Sequence, residues 1–252
     1  MQDGCFPDKN LLNSFEGISL SEMDEVKLMN RTDTKFVFSR KMVPELFTSL
    51  SPHYRILDVD GHRISRYKSL YFDTDNLKFY TDHHNGRLDR FKVRIRNYVE
   101  SDLNFLEIKH KFKGRTDKKR IKLKQIENNL SEKSVNFIDE ILGTQVSVHS
   151  VLWNYFGRIT LVHKFEKERL TLDFGLAFEW QENSKTYSDI VISELKQEVF
   201  NRSSPFYALM KKSLMRPTGI SKYCLGTIAL NKNVKGNKFK SKVLLVNKLQ
   251  NL

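Results

Sequence analysis

The stretch RLDRFKVRIRNYV, residues 87–99, decides how this chain is read. As a strand it alternates: Phe91, Val93 and Ile95 fall on one face, and Arg90, Lys92, Arg94 and Arg96 on the other. Same-face neighbours on a strand are about 7 Å apart. A like-charge pair at that distance costs roughly 0.6 kcal/mol in water and roughly 2.4 kcal/mol at an effective dielectric of 20. A solvated strand tolerates such a row. An enclosed one requires an anion opposite it.

The pattern recurs in five other segments. In NFLEIKHKFK, Phe105, Glu107, Lys109, Lys111 and Lys113 oppose Leu106, Ile108 and Phe112; in KRIKLK, Arg120, Lys122 and Lys124 oppose Ile121 and Leu123. Arg31, Asp33 and Lys35 oppose Phe36 and Phe38, while Arg169, Thr171 and Asp173 oppose Leu170, Leu172, Phe174 and Leu176. Ile192, Glu194, Lys196 and Glu198 stand against Val191, Leu195 and Val199. Helices are expected at 21–29, 41–51, 74–86, 131–143, 203–215 and 221–231. The helix at 131–143 carries an N-cap at Ser131 and a stop at Gly143. Asp73 is placed to cap the helix that follows it, and Tyr71 and Phe72 read as wall packing. Strands are expected at 31–39, 54–59, 63–73, 87–100, 103–113, 117–124, 156–166, 169–180 and 185–199.

Two arrangements satisfy six strands with one ionic and one apolar face. The first is an open sheet with a solvated outer face. The second is a closed barrel whose helices cover the apolar outside while the ionic faces line the lumen, which in an eight-stranded barrel admits side chains or one slim ligand. The formal charge of +13 points to an anionic partner but does not choose among nucleic acid, nucleotide, phosphate polymer and acidic membrane. Aromatic residues do not interleave with the cations as a stacking platform for nucleic acid requires, so no nucleic acid is expected. Cys5 and Cys224 build neither a disulfide framework nor a zinc site, which suggests a reducing compartment. The first residues carry no apolar signal-peptide core, and no run of 18 apolar residues occurs. The expectation is a cytoplasmic protein that meets a membrane, if at all, through a partner. The histidines show no ligand spacing, and His83 and His84 read as solvated.

The segments RTDTKF, SLYFDT, FKVRIR, FLEIKHK, ERLTLDFGLAF, ISELK and ISKY occur in the order found in VTC-type polyphosphate polymerase domains, and the chain resembles them from about residue 28 to 230. Those domains belong with the triphosphate tunnel metalloenzymes and the CYTH domains. The resemblance implies an α+β, mainly β fold: a closed antiparallel eight-stranded tunnel barrel with helices packed on the outside. It divides the chain into a lead-in with a short helix (1–27), the tunnel domain (28–231) and a basic tail (232–252).

By resemblance, Lys35 lies near the reacting phosphate, Arg94 and Arg96 grip a triphosphate, and Lys109, Arg158, Arg169, Lys196 and Lys222 add phosphate contacts. Arg31, Arg90, Lys92, Lys111 and Arg120, on the same ionic faces, are further candidates for substrate binding. Glu194 resembles the metal-binding carboxylate, with Glu107 and Asp33 as further candidates for a bound manganese or magnesium ion. Asp173 is expected to orient an arginine.

Arg forks suit phosphate oxygens, a divalent ion bridging phosphates needs carboxylates, and phosphoryl transfer asks mainly for alignment and neutralisation. The substrates implied are ATP and polyphosphate. Two departures stand out. Where CYTH triphosphatases carry Glu-x-Glu-x-Lys, this chain has Arg31-Thr-Asp33-Thr-Lys35, which resembles the polymerase branch and disfavours the hydrolase. A tyrosine common two residues before the later arginine is Phe156 here, with Tyr155 beside it. Hydrolysis of triphosphate or polyphosphate, and binding of polyphosphate or inositol phosphates without turnover, remain the alternatives.

Overall fold

The computed structural model of the chain describes residues 5–25 and 31–251. One eleven-stranded sheet organises it. Its main path runs from β2 (Thr32–Ser39) through β11 (Ile190–Gln197), β9 (Glu168–Trp180), β8 (His149–His163), β4 (Ser65–Asp73), β5 (Arg90–Tyr98) and β6 (Leu103–Phe112) to β7 (Arg115–Leu123). Every neighbouring pair on this path is antiparallel. Off the path, β1 (Glu16–Ile18) runs parallel to β3 (Tyr54–Leu57), which joins β8, and β10 (Asn183–Tyr187) extends β9.

The expected mainly β, antiparallel α+β fold with eight principal strands is present, but its closure is not. β2 and β7 end the path, and no ladder joins them among the described residues. β2 instead has part of its outer edge capped by a loop, where Thr218 N–H donates to Lys35 O at 2.7 Å. β7 is an exposed edge dense in Lys and Arg, a composition that discourages pairing with another chain.

Two apolar layers form on the convex face. Phe36, Phe38, Leu170, Leu172, Phe174, Val191 and Leu195 pack beneath α1 (Lys9–Asn13), α3 (Val43–Leu50) and α6 (Pro205–Lys212). Leu70, Phe72, Val93, Ile95, Leu106 and Ile108 pack beneath α5 (Glu132–Leu142). That helix starts and stops as its sequence signals: Ser131 Oγ accepts from Ser134 N–H, and Gly143 is left-handed at φ 70°.

The remaining helices depart from the expected outside position. α4 (Lys78–His84), α7 (Lys222–Leu230) and α8 (Lys240–Gln250) close one end of the concave face, where Val37, Tyr71, Leu152, Leu176, Phe178, Ile190 and Ile192 pack against Tyr80, Tyr223, Leu225, Val246 and Leu249. Gly226 permits this docking, because a Cβ there would stand 2.4 Å from the Phe178 ring and 2.8 Å from Leu152. The lysine-rich stretch after 232 thus contains a packed helix. It is tied down further by Tyr80 Oη donating to Lys235 O (2.6 Å) and by His84 Nε2 against Asn237 Oδ1 (2.7 Å).

One bulge corrects the sequence reading of 168–180. Gly175 adopts φ 58°, and the β8–β9 register shifts beside it. Leu176 therefore joins the concave cluster instead of the face of Leu170, Leu172 and Phe174. Two boundaries also differ. β8 begins at His149, seven residues before the expected 156, because His, Ser and Asn interrupt its apolar alternation. The strand expected at 185–199 breaks into β10 and β11 at Ser188–Asp189, where Asp189 O accepts from Arg40 N–H. The expected helix at 21–29 appears as α2 (Leu20–Glu25), and its last residues lie outside the described ones.

Candidate functional site

Register carries the ionic residues of separate strands to one place. Arg94 pairs with Glu107, Lys92 with Lys109, Arg158 with Asp173, and Lys35 with Glu194. These faces meet across a channel: Lys109 on β6 feels the charge of Glu194 on β11, and Lys92 on β5 that of Lys35 on β2. Arg96 and Arg158 share an aromatic floor made by the stacked rings of Tyr67 and Phe156 (centroids 5.1 Å apart). The Arg96 guanidinium lies 5.0 and 5.7 Å from those two rings, Arg158 lies 5.5 and 5.4 Å away, and Lys222 Nζ is 4.5 Å from Phe156.

Three ionic nests divide the channel. In the first, Arg94 donates Nε and Nη2 to Glu107 Oε2 (2.9 and 2.6 Å) and Nη1 to the Tyr71 hydroxyl (3.2 Å). Lys118 Nζ reaches the other Glu107 oxygen at 3.0 Å. Glu107 is 1% exposed. Burial opposes its charge, but Arg94, Arg96 and Lys118 outweigh that and hold the carboxyl well below its usual range.

In the second nest, Asp173 receives a two-point fork from Arg158 (2.6 and 2.8 Å) and a contact from Lys222. Burial pulls Lys222 down to about 8, although Asp173 pulls the other way. In the third, Glu194 joins Lys35 (3.3 Å) and Lys196, and Lys196 also lies 3.8 Å from Asp33, which Arg31 Nε contacts at 3.1 Å. Lys35 and Lys196 hold Glu194 ionised against its burial.

Several cations lack such neutralisation. Arg96 makes a 3.3 Å contact to Ser69 Oγ but, among the described residues, has no carboxylate partner. Burial, then Arg94, lowers its pKa. Lys92 donates to Ser221 Oγ (3.2 Å) and is brought to about 8 by burial and by Lys35, Arg90 and Arg94. Lys109, between Glu107 and Glu194, is lowered by Arg94, burial and Arg96. The Arg169 Nε is buried without a hydrogen-bond partner.

The channel and its three nests thus hold eleven cations (Arg31, Lys35, Lys92, Arg94, Arg96, Lys109, Lys118, Arg158, Arg169, Lys196 and Lys222) against four carboxylates (Asp33, Glu107, Asp173 and Glu194), a surplus of seven when every lysine is charged. Unit charges 4 Å apart interact by about 4 kcal/mol at an effective dielectric of 20. This surplus favours an entering polyanion over water.

The other candidates are placed differently. Arg90 donates to the Arg87 carbonyl at the helix-closed end. Lys111 faces the same end and helps depress His83. Arg120 is exposed on β7, its guanidinium 4.6 Å from the Phe105 ring. His83 and His84 are not solvated as expected. His84 is buried, and His83 lies half-buried with Nδ1 3.1 Å from Cys224 Sγ, its pKa lowered by burial and by Lys92, Arg90, Lys242 and Lys111. Tyr155 does not stand in for the tyrosine that Phe156 replaces, since it stacks on Trp153 (5.9 Å), away from the floor that Phe156 forms.

Asp73 acts as its position suggested. It accepts from Phe79 and Tyr80 N–H at the start of α4 and receives the Tyr223 hydroxyl. Sequence reasoning missed Tyr67, Ser69 and Ser221. The alternation of Tyr67, Ser69, Tyr71 and Asp73 against Leu70 and Phe72 was the available signal for the first two.

A sheet curved around a cation-rich channel and closed at one end by helices is the architecture of triphosphate tunnel proteins. Residues 30–231 match the family model of the VTC domain, and the chain belongs to that family. Its fold is similar to the solved structure of a proposed adenylyl cyclase from Hippeastrum, described as having a dominant triphosphatase activity (15% identity, 79% of this chain and 96% of that one, TM-score 0.51). A weaker likeness is to a proposed adenylate cyclase from Vibrio parahaemolyticus (8% identity, 77% of this chain and 96% of that one, TM-score 0.44). No curated protein matches the chain. No helix among the described residues is long and apolar enough to cross a membrane.

Proposed function

We propose that this VTC domain is an ATP-dependent polyphosphate polymerase. A terminal phosphate oxygen of the growing chain attacks the γ-phosphorus of ATP, the bond from that phosphorus to the bridging oxygen breaks, and ADP leaves. The observation that carries the reading is the surplus of cations turned inward on facing strands. Arg94, Arg96, Arg158 and Lys222 grip the triphosphate. Lys35, Lys109 and Lys196 offset the charge that gathers on the phosphoryl oxygens, and Arg169 extends the path towards the mouth. Positioning and neutralisation are what such a transfer requires.

Among the described residues no three Asp, Glu, His or Cys side chains converge to cage an ion. Both Glu107 oxygens are engaged by Arg94 and Lys118, and both Glu194 oxygens by Lys35 and Lys196, but the Glu194 side chain is 21% exposed against 1% for Glu107 and so is the one a substrate-borne ion can reach. A divalent ion therefore fits as one shared with substrate. Glu194, with Asp33 beside it across Lys196, would hold manganese or magnesium while phosphate oxygens complete the shell. When bound, it supplies further neutralisation of the phosphates.

The pairing of Arg31 with Asp33 favours transfer over hydrolysis, because it places a cation where a second metal carboxylate would be needed. The test is incubation with ATP and manganese or magnesium. ADP accumulating in step with long polymer supports the reading. Free phosphate without polymer makes the domain a hydrolase, and nucleotide binding without ADP makes it a receptor.

A further inference from the structure

The helix-closed end of the channel offers no passage for a polymer. There the concave face is filled by buried Leu152, Phe178 and Ile192 from the sheet and Tyr223, Val246 and Leu249 from α7 and α8. A chain longer than the channel needs another way out while nucleotide occupies the mouth. Among the described residues the main path of the sheet ends at β2 and β7 with no ladder between them, and the loop contact of Thr218 on Lys35 caps one level of the β2 edge.

The β7 side of that interruption is cationic. Arg120 lies opposite Glu107, and Lys122 opposite Phe105, so both share the face that points into the channel on β6. Both are nevertheless exposed, and Lys118 bridges the two environments, 40% exposed with its Nζ on the buried Glu107. The row runs from the channel interior at Lys109, which pairs with Lys118, to the protein surface.

We propose that a polyphosphate chain outgrowing the channel leaves it sideways, through the seam between β2 and β7, and lies along the channel-side cations of the β6–β7 hairpin. This rests on the polymer reading above. It assigns β7 a role in holding long chains and none in holding the triphosphate, which Arg94, Arg96, Arg158 and Lys222 contact deeper in.

The test compares binding of tripolyphosphate, long-chain polyphosphate and a single-stranded DNA oligonucleotide to the whole chain. Three forms are used: wild type, Arg120→Gln with Lys122→Gln, and Arg115→Gln with Lys119→Gln on the opposite face of β7. The first pair should weaken long-chain binding about tenfold or more and lower the slope of log affinity against log salt by about 1.4, the counterion share of two charges on a flexible polyanion. Tripolyphosphate binding should change by less than about twofold, and the outward pair should leave long-chain binding near wild type. Equal loss for short and long chains, equal loss from the outward pair, or loss of DNA binding alone overturns the lateral path. Wild-type protein that binds neither phosphate ligand overturns the polymer reading, and the path with it.

Discussion

Raising the pH from 7 to 9 should weaken ATP binding about a hundredfold when no divalent cation is present, and binding should draw protons from the buffer. Lys92 and Lys222 both titrate at about 8 in the empty channel, chiefly because burial disfavours their charge. The ordinary lysine value is about 10.4. A triphosphate between them restores the favourable surroundings and returns both to the charged form. Each pH unit above 8 then costs about 1.4 kcal/mol per lysine, so the two together cost roughly 2.8 kcal/mol at pH 9. Expected proton uptake by these two lysines rises from well under one at pH 7 to nearly two at pH 9, and Lys109, whose pKa is also lowered in the empty channel, adds to it.

Calorimetric titration with ATP and a chelator, in two buffers of different ionisation enthalpy, reads the uptake directly. ATP suits the purpose at pH 8 and 9 because a phosphate's second pKa is about 6, so there the ligand itself gives up almost no proton. Lys222→Met should lower the uptake at pH 8 by about half a proton. Constant affinity from pH 7 to 9, or proton release, would refute the claim that these two buried lysines face the bound triphosphate. The empty protein carries the same signature with the opposite benefit. Between pH 8 and about 10 the unfolded chain holds more protons than the folded one, so stability rises with pH across that window.

Other outcomes follow from the same geometry. Lys35→Ala removes a side chain that is 35% exposed and should change stability by less than about 1 kcal/mol, yet lower ATP turnover at least about a hundredfold. Arg94→Ala leaves the buried Glu107 with Lys118 alone and should cost roughly 3–5 kcal/mol in denaturant unfolding, part of which Glu107→Gln in the same chain recovers. Asp173→Asn removes the carboxylate that supports the charge of Lys222, so the pH at which ATP affinity begins to fall should move lower, as seen in the same titrations. Gly226→Ala forces a methyl into Phe178 and Leu152, costs about 1–3 kcal/mol, and should raise the KM for ATP more than it lowers stability predicts, because Lys222 rides on the displaced helix.

Much of this was legible before any coordinates, and the reason is periodicity. A strand's two-residue repeat sorts charges from apolar side chains with no knowledge of tertiary structure, so Arg94, Glu107, Asp173 and Glu194 could be assigned to common faces directly. The helix at 131–143 was legible because Ser131 and Gly143 act locally at its ends. Three features were not. Closure of the barrel is a relation between β2 and β7, which lie far apart in sequence, and no residue in either announces a missing partner. The bulge at Gly175 moves Leu176 to the other face through one backbone angle that a glycine permits but does not require. The burial of His83 comes from Cys224 and from helices over 130 residues later in the chain, so its sequence neighbours gave no warning.

The channel's charge balance connects binding and pH. Fully ionised ATP carries about four negative charges, fewer than the surplus of seven that the described channel and its nests present with every lysine charged. A phosphate ligand in the channel offsets part of this surplus, and its departure leaves the arginines of the floor facing one another. Arg96 and Arg158 stand over the same pair of rings, and only Arg158 has a carboxylate of its own. The structure therefore penalises an empty floor, and the penalty falls most heavily on Arg96. Replacing it with methionine should make the empty protein more stable and the loaded protein less so, which a thermal melt with and without tripolyphosphate would show as two shifts of opposite sign.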